Sequence, residues 1–398
     1  MARSSVVVGL GHTGLPLAVW WAERPGPPVV GLDRDERVIA RLDDGSPGPE
    51  PELAERLSAA RASGRLTLTT RPPTTASVIA LCLPTPLTEA RTADLSALDD
   101  AVATMLPLAD PGALWIVSST VPVGTTEGLA RRVRVHHPGA RIAMCPERVL
   151  PGRIMHEIVH VPRVVGGVDA ASTEAARVWF ADRSEAPVIP TSAALAELTK
   201  LVENASRDAE LAVTHAAAEL ARDHGLDPFA LQELVNAHPR ARMWAPGVGI
   251  GGHCLPVDPW FLVRSGSAAG ALFAAVRSFA GGIPARWADD LRARRAPPAR
   301  VGILGIAYKA DSADVRNAPA LALARDLARD YDVVVTDPHA AVPDDLVGVD
   351  LPTALEADVV VFAVDHSTWA ALRPPERAGQ LIIDACGGWR RRGYTNSG

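Results

Sequence analysis

Ser5-Val6-Val7-Val8-Gly9-Leu10-Gly11-His12-Thr13-Gly14 is the stretch that decides the fold class. A β-branched apolar run gives way to glycines spaced Gly-x-Gly-x-x-Gly, and a helix-forming segment follows through Trp20 and Trp21. Glycines let the chain turn tightly and let a ligand approach the backbone, and a helix opening there points the positive end of its dipole at that ligand. A second strand, residues 28–32, ends at Asp33, 19 residues beyond Gly14. A glycine turn alone says little. With a strand before it, a helix after it and an acid closing the next strand, it is the pattern of a dinucleotide-binding βαβ unit. The predicted cofactor residues are therefore Gly9, Gly11, Gly14 and Asp33, with Arg34 beside them. An acid that accepts from ribose hydroxyls repels a ribose phosphate, which predicts NAD over NADP; Arg34 next door pulls the other way.

Beyond this unit, strand-like runs at 78–83, 114–118 and 141–144 alternate with helical stretches, the signature of a parallel sheet covered on both faces. They predict a doubly wound domain over residues 1–190. One long helix follows from Ala193 to His224, with Thr191 or Ser192 as cap and Gly225 as stop. At 1.5 Å per residue it spans roughly 48 Å, longer than an ordinary domain helix, and is expected to bridge domains and the subunits of a homodimer or higher homo-oligomer. A glycine-rich loop at 246–252 and more helix complete a central region, 191–290. The stretch 292–300 reads as a linker. Strands at 301–304, 333–336, 359–364 and 381–384 then give a second α/β unit over 291–398, with a polar, mobile tail from Arg390. The expected fold class is α/β: two Rossmann-like doubly wound domains joined by a long central helix and a small helical domain.

Composition narrows the partners. The chain has 398 residues, 47% of them apolar, enough for two or three cores. Its apolar strand runs fall short of the roughly 20 residues of a membrane helix, and no secretion signal opens it. Net charge is −6 with both signs mixed, which argues against a nucleic-acid partner. Cys82, Cys145, Cys254 and Cys386 stand far apart with no CxxC pair, against a zinc site or a disulfide framework and consistent with a reducing, cytoplasmic setting. Of 40 Lys+Arg residues only Lys200 and Lys309 are lysine. Drift towards arginine should spare lysine where a compact, deprotonatable amine is needed, so both become candidate site residues.

Lys200 and Asn204 stand four apart on the long helix, hence on one face, with Leu195, Leu198, Val202 and Ala205 marking an apolar side. Converging amine and amide donors suit a developing oxyanion. Gly247-x-Gly249-x-Gly251-Gly252-His253-Cys254-x-Pro256-x-Asp258 presents a cysteine on a loop that a ligand can approach, followed by an acid four residues on. His253 and Cys254 are adjacent and point apart, against a shared metal.

Seven blocks in order carry a resemblance over nearly the whole chain: residues 8–16; Leu83-Pro84-Thr85-Pro86-Leu87; Ser119-Thr120-Val121-Pro122-Val123-Gly124-Thr125-Thr126; Cys145-Pro146-Glu147-Arg148-Val149-Leu150-Pro151-Gly152; Glu197-Leu198-Thr199-Lys200 to Asn204; Gly251-Gly252-His253-Cys254; and Tyr308-Lys309-Ala310-Asp311 to Arg316. The chain resembles the UDP-glucose/GDP-mannose dehydrogenase superfamily, and within it the branch acting on UDP-N-acetylhexosamines, UDP-N-acetylmannosamine first. The resemblance implies a four-electron oxidation of a sugar hydroxymethyl group with two NAD in turn, serving polysaccharide precursors. It makes Cys254 the covalent nucleophile, Lys200 with Asp258 an aid to the first deprotonation, Lys200 and Asn204 the oxyanion donors and Glu147 the base for thioester hydrolysis. Thr85 and Thr120 would flank the nicotinamide; Gly251, Lys309, Arg316 and Arg240, the last donated across a dimer, would contact the nucleotide sugar. Pro151 stands where UDP-glucose enzymes usually carry a second glutamate, and His215-Ala216 replaces a usual Asn-Glu. UDP-glucose, UDP-N-acetylglucosamine, GDP-mannose or an unusual nucleoside stay open as substrates. A two-electron hydroxyacid dehydrogenase is the rival reading among enzymes, and a non-catalytic sugar-binding paralogue the rival outside them.

Overall fold

The computed structural model describes residues 4–46, 51–149, 152–263 and 267–394. The chain divides into two compact units, Met1–Val202 and Glu203–Gly398.

The first unit is built on eight strands: β1 (Ser5–Val8), β2 (Val29–Leu32), β3 (Leu66–Thr69), β4 (Ala76–Leu81), β5 (Ala109–Val117), β6 (Arg141–Met144), β7 (Arg163–Gly167) and β8 (Val188–Ser192). They lie in the order β3-β2-β1-β4-β5-β6-β7-β8, and β6 and β7 pair antiparallel within an otherwise parallel sheet. The order reverses between β1 and β4, which places the switch point beside the glycine turn. Period-two geometry sorts the apolar run of β1 between two cores. Val7 joins Trp20, Trp21 and Phe180 on one face, while Val6 and Val8 join Trp115 and Ile79 on the other.

The second unit's sheet is parallel throughout. Strands β9 (Arg300–Leu304), β10 (Asp332–Thr336), β11 (Val347–Gly348), β12 (Val359–Phe362) and β13 (Leu381–Asp384) stand in the order β11-β10-β9-β12-β13. It repeats the opening of the first. Gly305 takes φ +88 and donates its N–H to Thr336 at 2.8 Å, as Gly9 with φ +90 donates to Leu32 at 2.8 Å. The next amide binds an acid at the end of the second strand in both: Leu10 to Asp33 and Ile306 to Asp337, each at 2.8 Å.

The long helix runs Ala193–Asp223. Ser192 caps it by accepting the Leu195 N–H, and Gly225 at φ +68 closes it while the Leu226 N–H returns to the Ala221 carbonyl. Its buried stripe differs from the apolar side read in the sequence: Leu195, Leu198 and Val202 are exposed, whereas Ala196, Glu197, Leu201, Ala205, Asp208, Ala212 and His215 are buried. Two of the polar groups in that stripe, Glu197 and Asp208, accept hydrogen bonds. Asp208 accepts from Arg277 at 2.5 Å, both buried.

Two further readings need correction. The stretch taken as a linker is helical to Arg294, within the helix Ile283–Arg294, and Arg292 pairs there with Asp326 and Asp330. The tail is anchored as far as Tyr394: Gly388–Arg391 is helical, and Arg390 pairs with Asp227 at 2.7 Å and Glu233 at 2.5 Å. Residues 395–398 lie outside the described residues. By length and composition alone, the stretch Ala268–Arg294 could cross a bilayer. It consists of two helices, Ala268–Gly281 and Ile283–Arg294, each shorter than a span, and Ile283, Trp287 and Leu291 pack into the unit's core.

Candidate active site

Each glycine of the first turn has its own reason. A Cβ on Gly9 would stand 2.4 Å from the Cys82 carbonyl oxygen, and one on Gly14 would stand 1.8 Å from the Gly9 oxygen, so both are required by close packing. A Cβ on Gly11 meets nothing within 4 Å, which leaves open space at the place a pyrophosphate would approach. The helix Gly14–Ala22 begins here without a side-chain cap from Thr13. Asp33 accepts from Leu10 N–H at 2.8 Å and Asp35 N–H at 3.0 Å, which fixes its carboxylate beside the turn. Arg34 is exposed and stands 3.6 Å from the exposed Asp100, a contact worth little in water. These residues fit a bound NAD.

Thr85 and Thr120 are brought together. They follow the carboxyl ends of β4, which pairs with β1, and of β5, which pairs with β4, and the Thr85 hydroxyl donates to the Thr120 carbonyl at 2.6 Å. The same loop is tied to the long helix by a residue whose role the sequence did not disclose. Buried Glu197 accepts from Gly124 N–H at 2.6 Å and Thr126 N–H at 2.7 Å, at the start of the helix Thr125–His136. Burial pushes its carboxyl up, against the pull of those donors. Half-buried Lys200 stands one turn further along.

Glu147 is buried, accepts the Arg148 N–H at 2.9 Å and faces the buried Arg163 at 3.3 Å. Arg163 lies over the rings of Trp20 at 4.9 Å and Phe180 at 5.1 Å. Nothing in the spacing of Arg163 to Glu147 marks a pair in the sequence; only the antiparallel pairing of β6 and β7 brings them together. Pro151, where the family pattern places a second glutamate, lies outside the described residues, as does Leu150.

In the second unit the cysteine loop is held from one side. Gly252 at φ +92 donates its N–H to the Arg316 carbonyl at 3.1 Å and accepts from the Asn317 amide at 3.0 Å. A Cβ on Gly251 would stand 2.7 Å from the Pro319 ring and 2.8 Å from the Asn317 oxygen. Gly251 is thus accounted for by packing inside the unit. Cys254 is half-buried, and its carbonyl accepts from Val257 N–H at 3.0 Å and Asp258 N–H at 2.8 Å. The turn so formed carries Asp258 into the interior, where Asn204 donates to it at 2.5 Å. Cys82 and Cys145 are buried, and burial pushes both thiols up, Cys145 to about 11. Cys254 is the better nucleophile of the three by exposure.

Arg316 joins this group: its guanidinium binds Asp314 at 2.6 Å and reaches His253 Nδ1 at 3.3 Å, one residue from the cysteine. Lys309 is half-buried, its amine 5.9 Å from the Tyr308 ring centroid. Arg240 is not drawn in. It is exposed beyond the helix Pro228–Asn236, and among the described residues its contact is the backbone N–H to His238 at 3.3 Å.

Three family models cover the chain in order: the NAD binding domain of the UDP-glucose/GDP-mannose dehydrogenase family matches residues 4–182, its central domain 194–280 and its UDP binding domain 302–390. The chain belongs to this family. As a member it is an NAD-dependent nucleotide-sugar dehydrogenase, with the glycine turn in the NAD-binding match, Cys254 in the central match and Arg316 in the UDP-binding match. The UDP-N-acetyl-D-mannosamine dehydrogenase of Yersinia pestis is 32% identical, covering 96% of this chain and 98% of the relative. The NDP-N-acetyl-D-galactosaminuronic acid dehydrogenase of Ralstonia nicotianae is 33% identical, covering 97% and 96%. Among solved structures, the UDP-D-ManNAc dehydrogenase of Pyrococcus horikoshii superposes with a TM-score of 0.89 at 31% identity, covering 97% of this chain and all of that one.

Proposed function

We propose that this dehydrogenase oxidises the 6-hydroxymethyl group of a UDP-N-acetylhexosamine, UDP-N-acetylmannosamine first, to the carboxylate through a thioester on Cys254. The observation that carries the reading is the turn in which half-buried Cys254 is followed by buried Asp258, itself bound to Asn204 of the long helix. Bound at the glycine turn, NAD supplies the hydride acceptor for each of the two oxidations.

Every other part falls to side chains. Lys200, aided by Asp258, takes the hydroxyl proton as the alcohol becomes an aldehyde. The Cys254 thiolate adds to the carbonyl carbon, and loss of a second hydride with the hydroxyl proton leaves a thioester. Lys200 and Asn204 donate to the oxygen while it carries negative charge. Glu147 takes a proton from water, which attacks the thioester carbon and frees carboxylate and thiol. Thr85 and Thr120 flank the nicotinamide; Lys309 and Arg316 hold the nucleotide sugar beside the Gly251 backbone, and Arg240 reaches it from the other subunit of a dimer.

An N-acetylgalactosamine nucleotide is the second reading on substrate, since relatives of both names match at 32% and 33% identity. A homodimer is supported by the row of exposed apolar side chains Leu195, Leu198, Val202, Val213 and Leu220 along the long helix. The deciding experiment incubates NAD with a panel of UDP- and GDP-sugars and weighs the product. Two NADH and a carboxylate from a UDP-N-acetylhexosamine support the proposal; one NADH with a carbonyl product sinks it, as does normal carboxylate formation by Cys254→Ala.

A further inference from the structure

A buried hydrogen-bonded chain in the second unit has no part in the chemistry above. Asp337, beyond β10, accepts from the backbone N–H groups of Ile306 (2.8 Å), Ala307 (3.1 Å), His339 (2.8 Å) and Ala340 (2.8 Å). Fully buried His366 sets Nε2 3.1 Å from the Asp337 carboxylate and Nδ1 3.0 Å from the Asp311 N–H. A backbone N–H can only donate, so Nδ1 accepts, and the ring proton on Nε2 goes to Asp337. Asp311 takes the left-handed conformation at φ +54, and its Oδ1 accepts from both the N–H (2.8 Å) and the hydroxyl (2.9 Å) of Ser367. The loop after β9 is thereby pinned at its middle.

That loop is the one that holds the cysteine loop. Tyr308 N–H donates to the Asp314 carbonyl at 3.0 Å, and Arg316 and Asn317 take both backbone groups of Gly252, two residues before Cys254. The Tyr308 ring lies 3.1 Å from where a Gly252 Cβ would be. Asp311, His339 and His366 also bring metal-type ligand atoms within 4.8 Å of one another. With the Nδ1 lone pair accepting from Asp311 and Nε2 carrying the proton, His366 has no lone pair to give an ion, so the cluster reads as an anchor rather than a ligand set.

We propose that His366, through the Nδ1 that accepts from Asp311, is a positioning residue for the cysteine: it fixes the Asp311–Asn317 loop, which fixes Gly252 and so the place of the Cys254 thiol. The proposal rests on Cys254 acting as the nucleophile, as proposed above.

The two ring nitrogens can be replaced one at a time. In His366→Asn the shorter amide keeps an acceptor for Asp311 and loses Asp337; in His366→Gln the longer one keeps a donor for Asp337 and loses Asp311. Alkylation of Cys254 by iodoacetamide, followed by mass, and the two phases of NADH release after rapid mixing with nucleotide sugar and NAD are the readouts. His366→Gln should slow alkylation and the second NADH phase by about tenfold or more, with the first phase and KM little changed, while His366→Asn stays near wild type. Equal rates in wild type and His366→Gln overturn the proposal. So does equal loss in both variants, which is what a merely structural histidine would give. If neither variant folds, Ser367→Ala, which removes a partner of Asp311, is assayed instead, and unchanged alkylation there overturns the proposal. Loss of carboxylate in Cys254→Ala beside a normal His366→Gln defeats the positioning role alone; normal carboxylate in Cys254→Ala defeats the parent reading.

Discussion

Asn204 binds Asp258 at 2.5 Å and so joins the long helix to the turn that begins at Cys254. The pair aligns an amide donor with the acid proposed to act on the first proton. Asn204→Ala should lower kcat by about 10²-fold, the usual cost of one preorganised donor, and leave the KM for NAD unchanged. Steady-state kinetics with each substrate varied in turn checks it; a KM effect without a kcat effect would assign Asn204 to binding.

Gly11 and Gly14 separate ligand clearance from packing. Gly11→Ala places its Cβ in open space, so it should leave the melting temperature unchanged while raising the KM for NAD by about tenfold. Gly14→Ala drives a methyl group to 1.8 Å from the Gly9 oxygen and should destabilise the first unit by ~1–3 kcal/mol or more. Thermal melts beside NAD titrations distinguish the two; equal melting shifts would refute the division.

Burial, helped by Arg222 and Arg286, pulls the His215 imidazole down to about 4. The unfolded chain binds that proton near pH 6.5 and the folded chain does not. Stability should therefore fall as pH drops from about 6.5 towards 4, by up to ~3 kcal/mol, and be flat with respect to this group above that window. Urea midpoints of wild type and His215→Leu at pH 7.5 and 5 test the difference: the variant should lose this part of the slope.

Arg163 and Glu147 form a buried pair in the first unit. Arg163→Leu leaves a buried carboxylate without its cation and should cost ~3–5 kcal/mol, part of which Arg163→Leu with Glu147→Gln recovers. Full additivity of the two changes in urea unfolding would show that the pair is not coupled. On the catalytic side, Glu147→Gln should let a covalent adduct of intact mass accumulate on Cys254 during turnover.

What the sequence made legible follows from local chemistry. The turn at Gly9, the acid at Asp33, the cap at Ser192 and the stop at Gly225 are each written in one or two residues with a steric or hydrogen-bonding reason, and the folded chain uses them so. The hidden parts depend on partners distant in sequence. The buried stripe of the long helix contains Glu197, Asp208 and His215, which hydropathy assigns to solvent until Gly124, Thr126 and Arg277 are known to face the first two. Arg163 and His366 looked like two more of many arginines and histidines. Short β3 and two-residue β11 carry too little pattern to register, and the small residues that follow Gly305 hide the second copy of the glycine–acid device.

The half-burial of Lys200 and Lys309 has a practical side. In a chain with two lysines, an acetylating reagent becomes a site-directed probe: apart from an amino terminus, every side-chain amine it can modify belongs to a proposed site residue. Peptide mass spectrometry of acetylated protein, with and without NAD or nucleotide sugar, would then yield a two-channel footprint of ligand occupancy without any engineered label.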